Sequence, residues 1–358
     1  MATIRDVARV AGVSIATVSR VFNDNSLVNE ETATRVMAAA TSVDYWPNGA
    51  AKSLTTRRTN TIGVLLPDLF GEFYSEVIRG IDHLSRRHEY QLLLSSSHSS
   101  SDAVLAACRA MLGRVDGLIV MAQVEALVDT VERISRRIPV VLLNPRDEMG
   151  QHGAVAVDNL AGATAAVEHL LALGHREIAM VAGPEGNADA ERRLLGFRLA
   201  LAAAGLDADR ALVVPGDFRE SGGFAAGQTI LERQPRPTAV FAANDSMAIG
   251  LLAALRRAGC QVPRDLAVVG FDDIAIAAYL NPPLTTVSVD ASCLGRQAVQ
   301  MMLTALSSGA AVRPVREVVP ATLVIRQSCG ARPAPQTDPH PPADAAHPFT
   351  VDDCRAPR

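Results

Sequence analysis

From residue 61 onward, short apolar runs alternate with longer amphipathic stretches. Helical patterns such as residues 72–88 and 102–113 lie between runs that have the length of buried strands. Because a strand, helix and strand in one sheet require a right-handed crossover, this rhythm predicts doubly wound parallel sheets. The predicted strands are residues 61–67, 91–95, 116–121, 140–144, 177–183, 211–214, 239–243 and 266–271.

A length of 358 residues allows two or three domains. Two such sheets, one on each side of a cleft, fit the region that starts at residue 61. We expect the chain to cross between them near residues 144–158, 273–284 and 308–319. Ligands of open parallel sheets bind at the carboxyl ends of the strands, so the polar residues just past each run are the candidate ligand contacts.

The residues before the first strand predict two short helices joined by a turn. Thr3 and Asp6 form a capping-box pattern, Gly12 suits a left-handed turn, and Ser14 suits the cap of the second helix. Two apolar stripes at helical spacing pack the helices together: Val7, Ala8, Ala11, Val18, Val21 and Phe22. The outward residues of the second helix are then Ile15, Ala16, Ser19, Arg20 and Asn23. An outward isoleucine predicts a binding partner.

The net charge of −4 hides an uneven distribution. Residues 1–58 carry seven basic and five acidic side chains, so this segment is at +2 and the remainder at −6. Attraction to phosphates acts over a Debye length of roughly 8–10 Å, so the local charge of the basic segment is what counts.

Several classes of function lack their sequence signals. We find no secretory leader and no bilayer-spanning apolar run, so a cytoplasmic protein without membrane contact is expected. The five cysteines have no zinc spacing, and no phosphate-binding loop, dinucleotide fingerprint or nucleophile elbow occurs. The sequence therefore predicts no metal, no cofactor and no enzyme.

The pattern V-A-x-x-A-G-V-S-x-x-T-V-S-R-V-x-N, from Val7 to Asn23, resembles the head of the LacI/GalR family of bacterial transcriptional regulators. Residues 28–40, capped by Asn29, resemble the third helix of that head. Residues 45–54 resemble its hinge helix, and residues 61 to about 327 resemble its effector domain. The resemblance implies a small all-α helix-turn-helix head plus hinge helix, joined to an α/β two-lobed core like that of periplasmic binding proteins.

The predicted domains follow from this resemblance and from composition. A DNA-binding head spans residues 1–46, and a hinge helix with its linker spans 47–60. A two-lobed effector-binding and dimerisation domain spans 61–328. The tail, residues 329–358, is rich in proline and poor in apolar periodicity, so we expect it to be disordered.

The predicted DNA contacts lie in the head and hinge. Ile15 and Ala16 would meet base edges, and Arg20 would donate to guanine. Thr17, Ser19 and Asn23 are better placed for phosphates. The family resemblance implies that Leu54, on one helical face with Asn48 and Ala51, wedges into the minor groove. The alternative for Leu54 is a core leucine between domains.

The predicted effector contacts are Asp68, Phe73, Asn144, Asp189, Arg193, Phe218, Asn244 and Asp272. Carboxylates, amides and an arginine framed by two phenylalanines suit a neutral polyhydroxylated ligand, so a sugar is the first expectation. Arg193, Asn244 and Asp272 match effector motifs of the family. Asp245 is interpreted as a helix cap. Phe73 and Phe218 match aromatic positions of purine-responsive members, and Val289 departs from some sugar-responsive ones, so a nucleobase stays open.

The predicted function is a ligand-controlled regulator, a repressor of carbohydrate-utilisation genes. It would act as a homodimer, or as a tetramer, on double-stranded operator DNA, because two-fold protein symmetry imposes a pseudo-palindromic site. A small sugar-like effector between the lobes would change the separation of the hinges. The resemblance implies release of DNA in sugar-responsive members and binding in purine-responsive ones. A purine-responsive regulator and a stand-alone sugar-binding protein are the alternatives.

Overall fold

The computed structural model describes residues 2–23, 28–46, 58–97, 100–121, 127–146 and 152–331. The chain divides into two compact units, an amino-terminal helical head and an α/β core. The predicted hinge contacts Asn48, Ala51 and Leu54 lie outside the described residues, as does most of the predicted tail.

Three helices form the head: α1 (Ile4–Ala11), α2 (Ile15–Asn23) and α3 (Glu30–Ser42). The capping box of Thr3 and Asp6 is present at the start of α1, and Gly12 ends that helix in the left-handed conformation with φ +65°. The side chain of Asn29 caps α3 by accepting a hydrogen bond from Thr32 N at 2.8 Å. The predicted packing is confirmed, because the apolar stripes of α1 and α2 meet α3 in one small buried cluster.

The core consists of two lobes, each built on a six-stranded sheet. Lobe 1 has the strand order β11-β5-β4-β3-β1-β2, and lobe 2 has the order β12-β10-β9-β8-β6-β7. The strands of lobe 1 are β1 (Thr61–Leu66), β2 (Gln91–Ser96), β3 (Gly117–Val120), β4 (Val140–Leu143), β5 (Gly153–Val157) and β11 (Arg316–Val319). Those of lobe 2 are β6 (Ile178–Val181), β7 (Val213–Val214), β8 (Ala239–Ala242), β9 (Ala267–Asp272), β10 (Thr285–Val289) and β12 (Ala321–Val324).

Helices cover both sheets. Lobe 1 carries α4 (Glu72–Arg87), α5 (Ser101–Met111), α6 (Leu127–Ser135) and α11 (Ala291–Ser308). Lobe 2 carries α7 (Asn159–Ala172), α8 (Ala188–Ala203), α9 (Glu220–Glu232) and α10 (Asp245–Arg257), with a short 3-10 turn at Ala275–Tyr279. The doubly wound prediction is confirmed, although β12 runs antiparallel to β10 at the edge of its sheet.

The chain crosses between the lobes at three points on the same side of the cleft. The first crossing is at Asp158, which caps α7 by accepting from Ala161 N at 3.1 Å. The second is at Asp290, which caps α11 by accepting from Cys293 N at 2.7 Å. The third is at Pro320, between β11 and β12. The predicted second crossing at 273–284 is therefore wrong, because β10 still belongs to lobe 2.

Four strands were not predicted, because they lack the apolar pattern on which the predictions depend. The strand β5 reads Gly-Ala-Val-Ala-Val, so only two of its residues are branched apolar ones. It is nevertheless fully buried, and a Cβ on Gly153 would lie only 2.3 Å from the Val312 side chain. Strands β10, β11 and β12 follow the last predicted run. Pairing with a neighbouring strand, rather than side-chain hydrophobicity, makes such segments strands, since β11 pairs with β5 and β12 pairs with β10 although both are largely exposed or half-buried.

Candidate functional site

The strand ends of the two lobes face each other across a cleft of about 680 Å³, which includes its open mouth. Six of the eight predicted effector contacts line it: Phe73, Asp189, Arg193, Phe218, Asn244 and Asp272. Further lining residues that the sequence did not single out are Tyr74, Asn187 and Ser246.

Arg193 is the most buried charged group of the cleft. It lies in the second turn of α8, and its side chain is only 5% exposed. Its Nε donates to Asn159 Oδ1 at 2.7 Å, and its Nη1 donates to the Ala243 carbonyl oxygen at 2.5 Å. The guanidinium also stacks on the Phe271 ring, 3.7 Å from the ring centroid. Such a cation–π contact, together with these hydrogen bonds, fixes the plane of the guanidinium before any ligand binds.

Asp272 ends β9 beside this arginine. Its Oδ1 lies 3.1 Å from Arg193 Nη2, an ion pair whose geometry falls short of an aligned hydrogen bond. Burial raises the pKa of Asp272 to about 6, the positive charge of Arg193 opposes this rise, and the negative charge of Asp189 adds to it. With this pKa, Asp272 is mostly ionised at neutral pH, so its carboxylate can accept hydrogen bonds from a group in the cleft.

Asp189 accepts hydrogen bonds from two asparagines, Asn144 just after β4 and Asn159 at the start of α7. Asn159 Nδ2 donates to Asp189 Oδ1 at 2.8 Å, and Asn144 Nδ2 donates to Asp189 Oδ2 at 3.3 Å. The other end of the Asn144 amide accepts from Val157 N at 2.8 Å. Asn144 is thus buried behind Asp189 and does not line the cleft, so the structure supports a role for it in holding Asp189 rather than in direct contact with an effector.

The structure of the segment Asn244-Asp245 corrects the interpretation of Asp245 as a helix cap. Asn244, not Asp245, caps α10, because its Oδ1 accepts from Met247 N at 2.9 Å. Its Nδ2 donates to the Phe218 carbonyl oxygen at 3.0 Å, which leaves one amide hydrogen for the cleft. Asp245 is fully buried and accepts from Thr286 Oγ1 at 2.6 Å. Burial, and then the nearby charge of Asp272, raise the pKa of Asp245 well above its usual value.

Lobe 1 covers the cleft with aromatic and apolar groups. Phe73 and Tyr74, at the start of α4, pack edge to face with their ring centroids 5.6 Å apart. Burial and the carboxylates of Asp189, Asp272 and Asp68 raise the pKa of Tyr74, so its hydroxyl is a donor at neutral pH. Phe70 and Met121 complete this face.

Asp68 stands at the rim and not in the cleft. Its Oδ1 accepts from Leu69 N at 2.7 Å, and its Oδ2 lies 3.5 Å from Arg219 Nη2 of lobe 2. The β1 and β7 ends of the two sheets are remote from the three crossovers, so this ion pair joins the lobes on the side away from the crossovers. The prediction of Asp68 as a direct effector contact receives no support from this placement.

Three residues in or beside the cleft have a strained backbone conformation. Asn144, Phe218 and Asp272 have φ values of +45°, +65° and +109°, a region that side chains other than glycine rarely adopt. Such conformations persist only where surrounding contacts over-determine them, and they are frequent at ligand sites.

The outer surface of α2 carries the predicted DNA contacts. Ile15, Ala16 and Arg20 are exposed, whereas Thr17 and Ser19 are half-buried. The Thr17 hydroxyl lies 2.9 Å from Ser14 Oγ, which also accepts from Thr17 N at 3.1 Å and so caps α2 as predicted. The side chain of Asn23 lies outside the described residues.

Other kinds of site find no support in the residues that the structure describes. Across these ranges, no group of His, Cys, Asp and Glu side chains could hold a metal ion. Nor is any helix within them long and apolar enough to cross a membrane.

A helix-turn-helix head in one chain with a two-lobed ligand-binding core defines a ligand-controlled DNA-binding regulator. The model of bacterial regulatory proteins of the lacI family matches residues 3–48, and that of the periplasmic binding protein-like domain matches residues 167–329. The chain belongs to the lacI family of bacterial regulatory proteins. It is a transcriptional regulator and not an enzyme, as the sequence predicts.

Relatives of known identity cover nearly the whole chain. The ribose operon repressor of Escherichia coli (strain K12) is 36% identical over 306 residues, which are 85% of this chain and 92% of that protein. The HTH-type transcriptional repressor PurR of Vibrio campbellii is 35% identical over 327 residues, 90% of this chain and 98% of that protein. Among solved structures, the Lac repressor dimer bound to operator and the anti-inducer ONPF has a TM-score of 0.82 at 32% identity, with 92% of this chain and 99% of that one covered.

Proposed function

We propose that this regulator is a repressor of carbohydrate-utilisation genes whose operator binding is controlled by a small sugar-like effector between the lobes. The buried pair of Arg193 and Asp272 carries this proposal, because both groups line the cleft and Arg193 is held in place by Asn159 and the Ala243 carbonyl oxygen. A preorganised donor and acceptor side by side suit neighbouring hydroxyl groups of a neutral ligand.

The remaining polar groups of the cleft fit the same ligand class. Asn244 offers an amide hydrogen, and Tyr74 offers a hydroxyl. Three carboxylates line the cleft, Glu72, Asp189 and Asp272, and they disfavour a phosphorylated or otherwise anionic ligand by repulsion. The relation to a ribose operon repressor supports a sugar of modest size.

A purine base is the second candidate. Phe73 and Phe218 line the cleft from opposite lobes, an arrangement that could hold a flat ring between them. The relation to PurR supports this candidate as well. The sign of the response separates the two, since the family resemblance associates sugars with release of DNA and purines with binding.

The head would read DNA through α2, with Ile15 and Ala16 on base edges and Arg20 on guanine. Thr17, Ser19 and Asn23 would contact phosphates, and Asn48, Ala51 and Leu54 of the hinge would contact the minor groove. We propose a homodimer that acts on operator DNA in the cytoplasm, with a tetramer as a possible higher assembly. The domain boundaries proposed are those at residues 46, 60 and 328.

The deciding experiment is a gel shift of the full chain on the DNA upstream of its own gene. The control is the chain that begins at Thr61, which should not shift the fragment. Titration with D-ribose, D-galactose, lactose, adenine and hypoxanthine then tests the effector. Release by one of the sugars supports the proposal, tighter binding with a purine supports the second candidate, and binding by the truncated chain contradicts the role of the head.

A substitution in α2 sharpens this test. Arg20→Ala should weaken specific binding by about 1–3 kcal/mol and leave non-specific binding largely intact, because a lost bidentate contact to guanine affects only the correct sequence. Arg35→Ala, an exposed arginine of α3, is the matched control for the loss of one positive charge. Equal losses on operator and random DNA at one salt concentration would make Arg20 a phosphate contact instead.

A further inference from the structure

Asn159 occupies a special position at the base of the cleft. It is the first residue of α7 and directly follows Asp158, where the chain leaves lobe 1 for lobe 2. Its side chain is buried, with the residue only 1% exposed, and it does not line the cleft. A polar side chain buried this completely must be satisfied by protein partners.

Both ends of the Asn159 amide bind charged groups that do line the cleft. Its Oδ1 accepts from Arg193 Nε at 2.7 Å, while its Nδ2 donates to Asp189 Oδ1 at 2.8 Å. The orientation of the amide follows from chemistry, because a guanidinium can only donate and a carboxylate can only accept. Only a side chain with an acceptor and a donor on one planar group satisfies both charges at this spacing.

Further hydrogen bonds connect Asp189 to the end of β5, the strand that precedes the first crossover. Asn144, at the end of β4, binds Asp189 through Nδ2 and the backbone of Val157 through Oδ1. Val157 and Asn159 flank the crossing residue Asp158. The two asparagines therefore connect the backbone at the first crossover to Asp189, and Asn159 continues the connection to Arg193 and Asp272.

We infer that Asn159 is a positioning residue of the effector site, which holds Arg193 and Asp189 in fixed relation to each other and to the lobe crossover. This inference rests on the proposed effector site. Without the amide, Nε of Arg193 has no acceptor in a dry environment, and the guanidinium can rotate away from Asp272. Effector binding is then weaker, and its influence on the crossover is reduced.

The test uses the full chain with Asn159→Leu, which removes both hydrogen bonds at similar volume, and Asn159→Ala, in case the branched side chain does not fit. Thr164→Val is the control, because Thr164 lies one turn further along α7 and its hydroxyl only donates to the Leu160 carbonyl oxygen, at 2.9 Å, and approaches that of Gly196 at 3.5 Å. The melting temperature of each variant is compared with the control.

The first readout needs no ligand. The pKa of Asp272 is measured by carboxyl NMR, with Asp272→Asn as the assignment standard. Both Asn159 variants should raise this pKa further above about 6, because the opposing charge of Arg193 moves away, while Thr164→Val should leave it unchanged. An unchanged pKa in both Asn159 variants overturns the inference.

The second readout is calorimetry with D-ribose, D-galactose and lactose. For a sugar that the natural chain binds, Asn159→Leu should raise Kd about tenfold or more. Equal Kd values in the natural chain and both variants overturn the inference even if the pKa moves. If the natural chain binds none of the sugars while the pKa of Asp272 does move, the positioning of Arg193 is supported and the proposed sugar response fails.

Discussion

The two faces of the cleft differ in chemistry. Lobe 2 presents Arg193 and Asp272, which are buried and form an ion pair, and Asp189, which is half-buried and accepts from Asn144 and Asn159. Lobe 1 presents Phe70, Phe73, Tyr74 and Met121, and Phe70 is 82% exposed. The polar face is thus organised before a ligand arrives, whereas part of the aromatic face can gain burial when a ligand binds. From this comparison we expect lobe 2 to select the ligand by hydrogen bonding and lobe 1 to add contact area.

The largest expected effect comes from the centre of the polar face. Arg193→Leu leaves Asp272 as an uncompensated buried charge, so we expect a loss of about 3–5 kcal/mol in the free energy of unfolding. The response to effector should disappear while operator binding without effector persists. Arg198→Leu, an exposed arginine of the same helix, should change stability by at most about 0.5 kcal/mol. Undiminished effector affinity in Arg193→Leu by calorimetry would remove lobe 2 from recognition.

The second prediction concerns how the free energy of unfolding depends on pH through Asp272 of the polar face. The pKa of Asp272 is raised to about 6 from 3.8, so the folded chain holds this proton more tightly than the unfolded chain. The stability that this group contributes is full below about pH 3.8 and is lost as the pH rises through about 6. The loss is on the order of 2–3 kcal/mol.

Urea unfolding followed by circular dichroism from pH 4 to pH 7 measures this slope. Asp272→Asn should flatten it, while the part due to Asp245, whose pKa is also raised, should remain. A slope that is unchanged by Asp272→Asn would mean that this carboxyl titrates normally.

A smaller effect is expected from the aromatic face. Phe73→Ala should weaken effector binding by about 1 kcal/mol, because a half-buried ring loses contact area but no hydrogen bond. The ranking of sugars by Kd should stay the same in this variant. If Phe73→Ala weakens binding more than Arg193→Leu does, lobe 1 dominates recognition, and a stacked nucleobase becomes the better candidate.

The smallest effect is expected where the two faces meet at the rim. Arg219 and Asp68 are exposed enough that their ion pair should contribute only about 0.2–1 kcal/mol. A double-mutant cycle with Arg219→Ala and Asp68→Ala should give this coupling in effector binding, and it should fall as salt is added. The cycle is needed because Asp68 also accepts from Leu69 N, a bond that Arg219 does not share. A coupling above 2 kcal/mol would make the rim, rather than the cleft base, the main contact between the lobes.

The local sequence pattern was sufficient to predict the helices of the head and most of the strands of the core. The capping box at Thr3, the left-handed Gly12 and the cap at Asn29 all depend on residues within four positions of each other. Strands rich in branched apolar residues could also be predicted from the sequence. The strand β5 was not, because glycine and alanine carry little of the signal that marks a buried strand.

The cleft could be predicted only in outline. The rule that ligands meet the ends of parallel strands led to Arg193, Asn244 and Asp272. The rule could not tell which of the two adjacent residues, Asn244 or Asp245, caps α10. Asp245 became a buried acceptor because Thr286, which is 41 positions away, donates to it.

The sequence alone determined the class of protein, its helical head, its two doubly wound lobes and the strand ends at which a ligand would meet them. The class of protein follows from the resemblance to the LacI/GalR family, and the helices and strands follow from spacings of a few residues. Only the tertiary structure decided which polar groups face the cleft and which hold others in place. Asn144 and Asn159 belong to the second kind, since their partner Asp189 lies 45 and 30 positions away. Whether a buried amide binds a ligand or a neighbour depends on what the folded sheets bring within about 3 Å of it.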